Sequence, residues 1–219
     1  MRFPTILFDF DGTLVDSIEL ILESYRHTMR IHRGDAMSDA LWIEGLGKPL
    51  RVQFRTFTDD PAEVEAMVAT YREWNLAHHD DMVVAYPGAL ETVKDLKARG
   101  ARMGIVTSKN LNGLNRGLTL CGFEHLFETL ITSDHPAQSK PDPAPVRAAL
   151  AELGAGSGNA LMVGDSPHDI ASGRDAGTRT AACLWGPFDR ARISEEAPDF
   201  WLESFADLAA LCNGAQDTA

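Results

Sequence analysis

Short apolar runs alternate with longer amphipathic stretches along most of the chain. Residues 5–10 (TILFDF) are apolar and aromatic up to an aspartate, the pattern of a strand buried on both faces of a parallel sheet. Residues 102–107 (RMGIVT) and 160–164 (ALMVG) repeat that pattern; 129–132 (TLIT) and 178–184 (TRTAACL) repeat it more weakly. Helical spacing fills the intervals at 88–99, 111–121, 143–152 and 169–175. Strand and helix in alternation predict an α/β fold, a doubly wound parallel-sheet (Rossmann-like) core. A ligand of such a core belongs at the carboxyl ends of the strands.

Residues 15–81 break the alternation. Their periodicity is helical and they contain no good strand candidate. Asp16 and Glu19 have capping-box spacing for a helix start. Pro49 and Pro61 read as first-turn prolines of two further helices. The block is too long for a crossover, so it reads as a small inserted α-helical cap over 15–81, leaving 1–14 and 82–219 as the catalytic core. No internal repeat or low-complexity run is visible, and the final GAQDTA is expected to fray.

Composition narrows the partners. The chain has 219 residues, 44% hydrophobic and 24% charged, which suits a globular protein. Its formal charge of −12 repels nucleic acid and anionic membranes. A small anionic substrate stays admissible, because one cation reverses the sign of one pocket. Cys121, Cys183 and Cys212 form no Cys-x-x-Cys pair, which fits free thiols in a reducing compartment. The seven histidines make no His-Glu-x-x-His pattern, so zinc is not expected. The apolar run before Asp9 is too short for a signal peptide, and no run approaches a membrane span. The expectation is a soluble cytoplasmic protein, monomer or homodimer.

Four chemical features fall at the predicted C-terminal ends of separate strands. Asp9 and Asp11 are two apart, so both point to one side of an extended strand end; Gly12 then lets the backbone approach a ligand. Two ionised carboxylates that close require a cation between them or a shared proton. Thr107-Ser108-Lys109 places hydroxyls beside a helix start, where phosphate oxygens fit. Lys140 lies in SKPDPAP, where Pro141 and Pro143 are expected to hold the loop extended. Asp165 and Asp169 follow the ALMVG run. Singly, these read as a turn, a helix cap, a surface lysine and a first-turn acid capped by Ser166. Together and in this order they are hard to explain by structural roles alone. In the cap, residues 44–51 (EGLGKPLR) offer two glycines with Lys48 and Arg51 for a carboxylate or second phosphate; a solvated connection is the plainer reading.

The segments DFDGTLVDS, IVTSK, KPDPAPV and VGDSPHDIASGRDAG resemble the haloacid dehalogenase superfamily of hydrolases, and PGALETVKDLKARGARMGIVTSK with KPDPAPV resembles its phosphoglycolate phosphatase group. The resemblance implies a helical cap after the first motif. It implies Asp9 as nucleophile and Asp11 as general acid and base. It implies Asp9, the Asp11 carbonyl and Asp165 as Mg²⁺ ligands, with Asp169 supporting the metal or its waters. Thr107 and Ser108 would then bind phosphate with Gly12, Lys140 would neutralise charge, and Lys48 and Arg51 would meet the substrate. The expected activity is Mg²⁺-dependent hydrolysis of a small phosphorylated metabolite resembling phosphoglycolate, through an aspartyl phosphate. Inorganic pyrophosphatase is the first alternative and β-phosphosugar mutase the second; Thr13 leans away from the mutases. Carbon–halogen and phosphonate cleavage are disfavoured by Asp11. A receiver module is shorter and uncapped. Gly47-Lys48-Pro49 fails as a P-loop.

Overall fold

The computed structural model describes residues 1–35 and 37–214. The expected fraying of the last residues falls almost wholly outside them. In chain order the elements begin with β1 (Thr5–Phe8), β2 (Val15–Asp16), α1 (Ile18–Arg33), α2 (Asp39–Ile43), α3 (Leu50–Phe54), α4 (Pro61–Met82) and β3 (Val84–Ala85). Then follow α5 (Ala89–Ala98), β4 (Arg102–Val106), α6 (Leu111–Leu120), β5 (Thr129–Ile131), α7 (Ala144–Glu152) and β6 (Ala160–Gly164). The chain closes with α8 (Pro167–Ala176), β7 (Arg179–Cys183), α9 (Arg190–Ser194), β8 (Phe200–Leu202) and α10 (Phe205–Cys212).

Six strands form one sheet in the order β5-β4-β1-β6-β7-β8, every pairing parallel. The expected α/β core is therefore present, with β1 central. Phe8 pairs with Ile105 on one side and Val163 on the other, so β1, β4 and β6 end at about the same level. Side chains alternate across the sheet. Ile6 and Phe8 pack with Val93, Leu96 and Leu208 of α5 and α10, whereas Leu7 packs with Val146 and Leu150 of α7. Full burial of each such side chain stabilises by roughly 1.5–3 kcal/mol.

The helices α1 to α4 build a second apolar cluster. Tyr25 stacks on Trp42 at 4.0 Å, and Trp42 meets Phe54 at 5.2 Å and Tyr71 at 6.0 Å. This cluster continues into the core through Ile170, Phe188 and Ile193.

Several local expectations are corrected. The strands are shorter than read: β1 stops at Phe8 and leaves Asp9 in the following loop. Two strands were not foreseen at the ends of the helical block, β2 and β3, which pair antiparallel over Val15–Asp16 and Val84–Ala85. The edge strand β8 was not foreseen either. The cap residue of α1 is Ser17 rather than Asp16, and it makes no capping bond because its hydroxyl is engaged by Asp11. Pro61 opens α4 as expected, but Pro49 is the residue before α3 rather than inside its first turn. The Lys140 loop is a turn with a cis Lys140–Pro141 peptide, not an extended run.

Candidate active site

The loops after β1, β4 and β6 converge because those strands are neighbours ending level. Asp9 follows β1, with its N–H donating to the Val163 carbonyl at 2.9 Å. Thr107 follows β4, its N–H donating to Ile131 at 2.9 Å, and Asp165 follows β6. Lys140 departs from the expected strand end. It lies in the loop between β5 and α7, and its side chain reaches back under the site.

Asp9, Lys140, Asp165 and Asp169 are all buried, at 5%, 2%, 3% and 0% exposure. Lys140 Nζ donates to the Val106 carbonyl at 2.9 Å and to Asp169 Oδ1 at 2.6 Å, and stands 3.0 Å from Asp9 Oδ1. That last approach is a buried ion pair at hydrogen-bonding distance. Asp169 is fully committed. Its Oδ2 accepts from the Ser166 N–H at 3.0 Å and hydroxyl at 2.6 Å, a capping box that opens α8. Asp169 thus caps the helix with one oxygen, as the plainer reading had it, and anchors Lys140 with the other. Asp165 accepts from the Thr13 hydroxyl at 2.6 Å.

Burial dominates the electrostatics. It pushes the Asp9 carboxyl up to about 7, against the pull of Lys140. Burial likewise raises Asp165, reinforced by Asp169 and Asp9. For Lys140 burial acts downward, but Asp169 and Asp9 outweigh it and the ammonium is held above its ordinary range. Oxygens of Asp9, Asp165 and Asp169 lie within 4.8 Å of one another. Three ionised carboxylates and one ammonium leave two negative charges, so a dication fits the charge balance. The clustered carboxylates fit a hard cation, and an all-oxygen set suits Mg²⁺.

Asp11 is held apart from the Asp9, Asp165 and Asp169 cluster by partners of its own. It accepts from Ser17 Oγ at 2.7 Å and from Lys109 Nζ at 2.9 and 3.1 Å. Gly12, at φ +83°, lies against Asp165: a Cβ there would meet Asp165 Oδ2 at 2.5 Å. The Ser108 hydroxyl is already engaged, donating to the Gly47 carbonyl of the helical insert. Asp9, Asp11, Thr107, Ser108, Asp165, Lys48 and Arg51 all line one cavity of about 180 Å³ between insert and core. Arg51, however, is paired to Glu65 at 2.5 Å. Sequence reasoning assigned no role to Lys109, Ser17 or Arg72, and used Thr13 only to judge between activities. Lys109, Thr13 and Ser17 stood inside the motifs already singled out; Arg72 carried no local signal.

The family profile of haloacid dehalogenase-like hydrolases matches residues 6–183. The chain belongs to that family. It is 40% identical over 211 residues to Pyrophosphatase PpaX of Anoxybacillus flavithermus, covering 96% of this chain and 97% of that one. It shares its fold with a haloacid dehalogenase-like hydrolase from Bacteroides fragilis, at TM-score 0.88 and 24% identity over 94% of this chain and all (100%) of the other. A "predicted phosphoglycolate phosphatase" from Haemophilus somnus superposes at TM-score 0.85 and 24% identity, over 97% and 99% of the two chains.

Proposed function

We propose that this chain is a Mg²⁺-dependent phosphohydrolase with Asp9 as nucleophile, and that inorganic pyrophosphate is its foremost substrate. One observation carries the catalytic reading: a buried carboxylate, 3.0 Å from a buried ammonium and beside two further buried carboxylates, lines a cavity. The preference for pyrophosphate over the phosphoglycolate-like ester first expected comes from the relatives named pyrophosphatases. Phosphoglycolate remains a second reading, since Ile18, Ile21 and Leu46 give the cavity an apolar wall that suits an organic leaving group.

Asp9 and Asp165, with the Asp11 carbonyl that the family resemblance implies, would hold the cation, which when bound offsets charge on the phosphoryl oxygens. The remaining work falls to side chains. An Asp9 oxygen bonds to phosphorus as the bond to the leaving oxygen breaks. Lys140, aligned by Asp169 and the Val106 carbonyl, neutralises the phosphoryl group together with Thr107. Asp11 gives its proton to the leaving oxygen and later takes one from the water that attacks the aspartyl phosphate. Before it can do so, Asp11 has to give up the hydrogen bonds that Lys109 and Ser17 donate.

The decisive test is a turnover screen of pyrophosphate and phosphate esters with Mg²⁺, repeated on two variants. Asp9→Asn is expected to lose at least about 10³-fold in kcat, having an isosteric but poor nucleophile. Asp11→Asn should still phosphorylate Asp9 from substrates with good leaving groups. Near-normal turnover by folded Asp9→Asn disproves the mechanism. The free Cys121, Cys183 and Cys212 support the expected reducing, cytoplasmic setting.

A further inference from the structure

Four cations line the cavity: Lys48, Arg51, Arg72 and Lys109. Two are spent. Arg51 forks onto Glu65 with contacts of 2.5 and 2.8 Å, and Lys109 holds both oxygens of Asp11. Lys48, on the loop before α3, and Arg72, on α4, make no side-chain hydrogen bond or ion pair among the described residues. Both are half-buried. This is a chain with 32 acidic and 20 basic residues, so partners are plentiful elsewhere. Glu65 acts on Arg72 through space, but neither cation is bonded to it or to the carboxylates that line the cavity, and two partly desolvated cations so placed point to an anionic ligand.

The Lys48 loop is set before any ligand arrives. Its N–H donates to the Gly45 carbonyl at 3.0 Å, and its carbonyl accepts from Gln53 Nε2 at 2.8 Å. The neighbouring Gly47 carbonyl is tied to Ser108 of the core. A loop pinned on both sides loses little freedom on binding, so its charge is preorganised.

The core groups serve the transferred phosphoryl. Lys48 and Arg72 come from the inserted helices and are left for what departs. We infer that Lys48 and Arg72 form the leaving-group subsite and select a leaving group that is itself a phosphate over one ending in a carboxylate. This rests on the reading of Asp9 as the nucleophile. As the Asp9–phosphorus bond forms and the bridging bond of pyrophosphate breaks, the Asp11 proton passes to the bridging oxygen. The departing hydrogen phosphate then carries two negative charges, matched by two cations. Glycolate leaving by the same steps carries one. The arginine fork adds geometry, since it binds phosphate oxygens in pairs. Arg72 thereby takes the place that sequence spacing gave to Arg51.

The test is steady-state kinetics with Mg²⁺ on pyrophosphate, phosphoglycolate and p-nitrophenyl phosphate. Unmodified protein should show its highest kcat/KM on pyrophosphate. Lys48→Ala and Arg72→Ala should each lower that value by about tenfold or more while changing p-nitrophenyl phosphate by about twofold at most. Arg72→Lys should recover part of the loss, and Arg51→Ala should lose less than Arg72→Ala. Equal losses on all three substrates with unchanged melting curves would overturn the subsite, as would a preference for phosphoglycolate. If Arg72→Ala does not fold, calorimetry of pyrophosphate on Asp9→Asn with and without Arg72→Gln decides in its place: unchanged affinity overturns the inference. Absence of Asp9-dependent turnover on any substrate instead overturns the parent reading.

Discussion

Asp165 sits between two glycines. A Cβ on Gly12 would fall 2.5 Å from its Oδ2, and one on Gly186 would fall 2.4 Å from its Cβ. Gly12 also holds φ +83°, where other residues are strained. Gly12→Ala is therefore expected to displace Asp165 and lower kcat by about 100-fold or more, with the fold kept. Kinetics beside a melting curve check this; activity within about twofold of normal would show that the loop absorbs the methyl. Asp9, Asp165 and Lys140 were legible in the sequence because each stood in a motif whose chemistry is written in its residue types. Ser17 was not. A serine before a helix reads as a cap, and only the fold shows its hydroxyl turned to Asp11 at 2.7 Å.

The long helix α4 is held to the core at its C-terminal end. Arg116 on α6 donates to Asp80 at 2.7 and 3.0 Å and to the Leu76 carbonyl at 2.6 Å. Asp80 is half exposed, so the pair itself contributes little, and the buried-side bond to Leu76 contributes about 1 kcal/mol. Arg116→Ala should accordingly lower Tm by about 2–4 °C, measured by thermal melting. An unchanged Tm would mean that α4 is positioned by its apolar face alone. The elements that sequence reading missed share a cause. β2 and β3 have two residues each and β8 has three, too short for any periodicity to register. They exist because neighbouring chain segments offer them hydrogen-bonding partners.

Taken as a whole, the molecule collects buried negative charge at one point, and this couples folding, metal and pH. The Asp9 carboxyl is raised from 3.8 to about 7, so the fold prefers it protonated. The sign follows. Metal-free protein should lose stability as pH rises from about 4 through about 7, because ionising Asp9 costs the folded state and not the unfolded one. Mg²⁺ should reverse this and bind more tightly as pH rises over the same window, since it competes with that proton. Melting curves with chelator and with Mg²⁺ at several pH values check both; a metal-free Tm that rises steadily through this window contradicts the charge assignment. Among the described residues no helix is long and apolar enough to cross a membrane. Local sequence was enough to predict the α/β core and to mark the helical block after β1 and the acids and lysine that the fold brings together. Strand burial and reactive residue types are properties of short segments, and they survive without knowledge of neighbours. Which cations remain unpaired in the cavity was decided only in three dimensions. Arg51 looked free beside Lys48 in the sequence, but Glu65, fourteen residues on, neutralises it. Arg72, with nothing local to mark it, lines the cavity from α4. Charge pairing acts through space over a few ångströms, and residues so placed come from any distance along the chain.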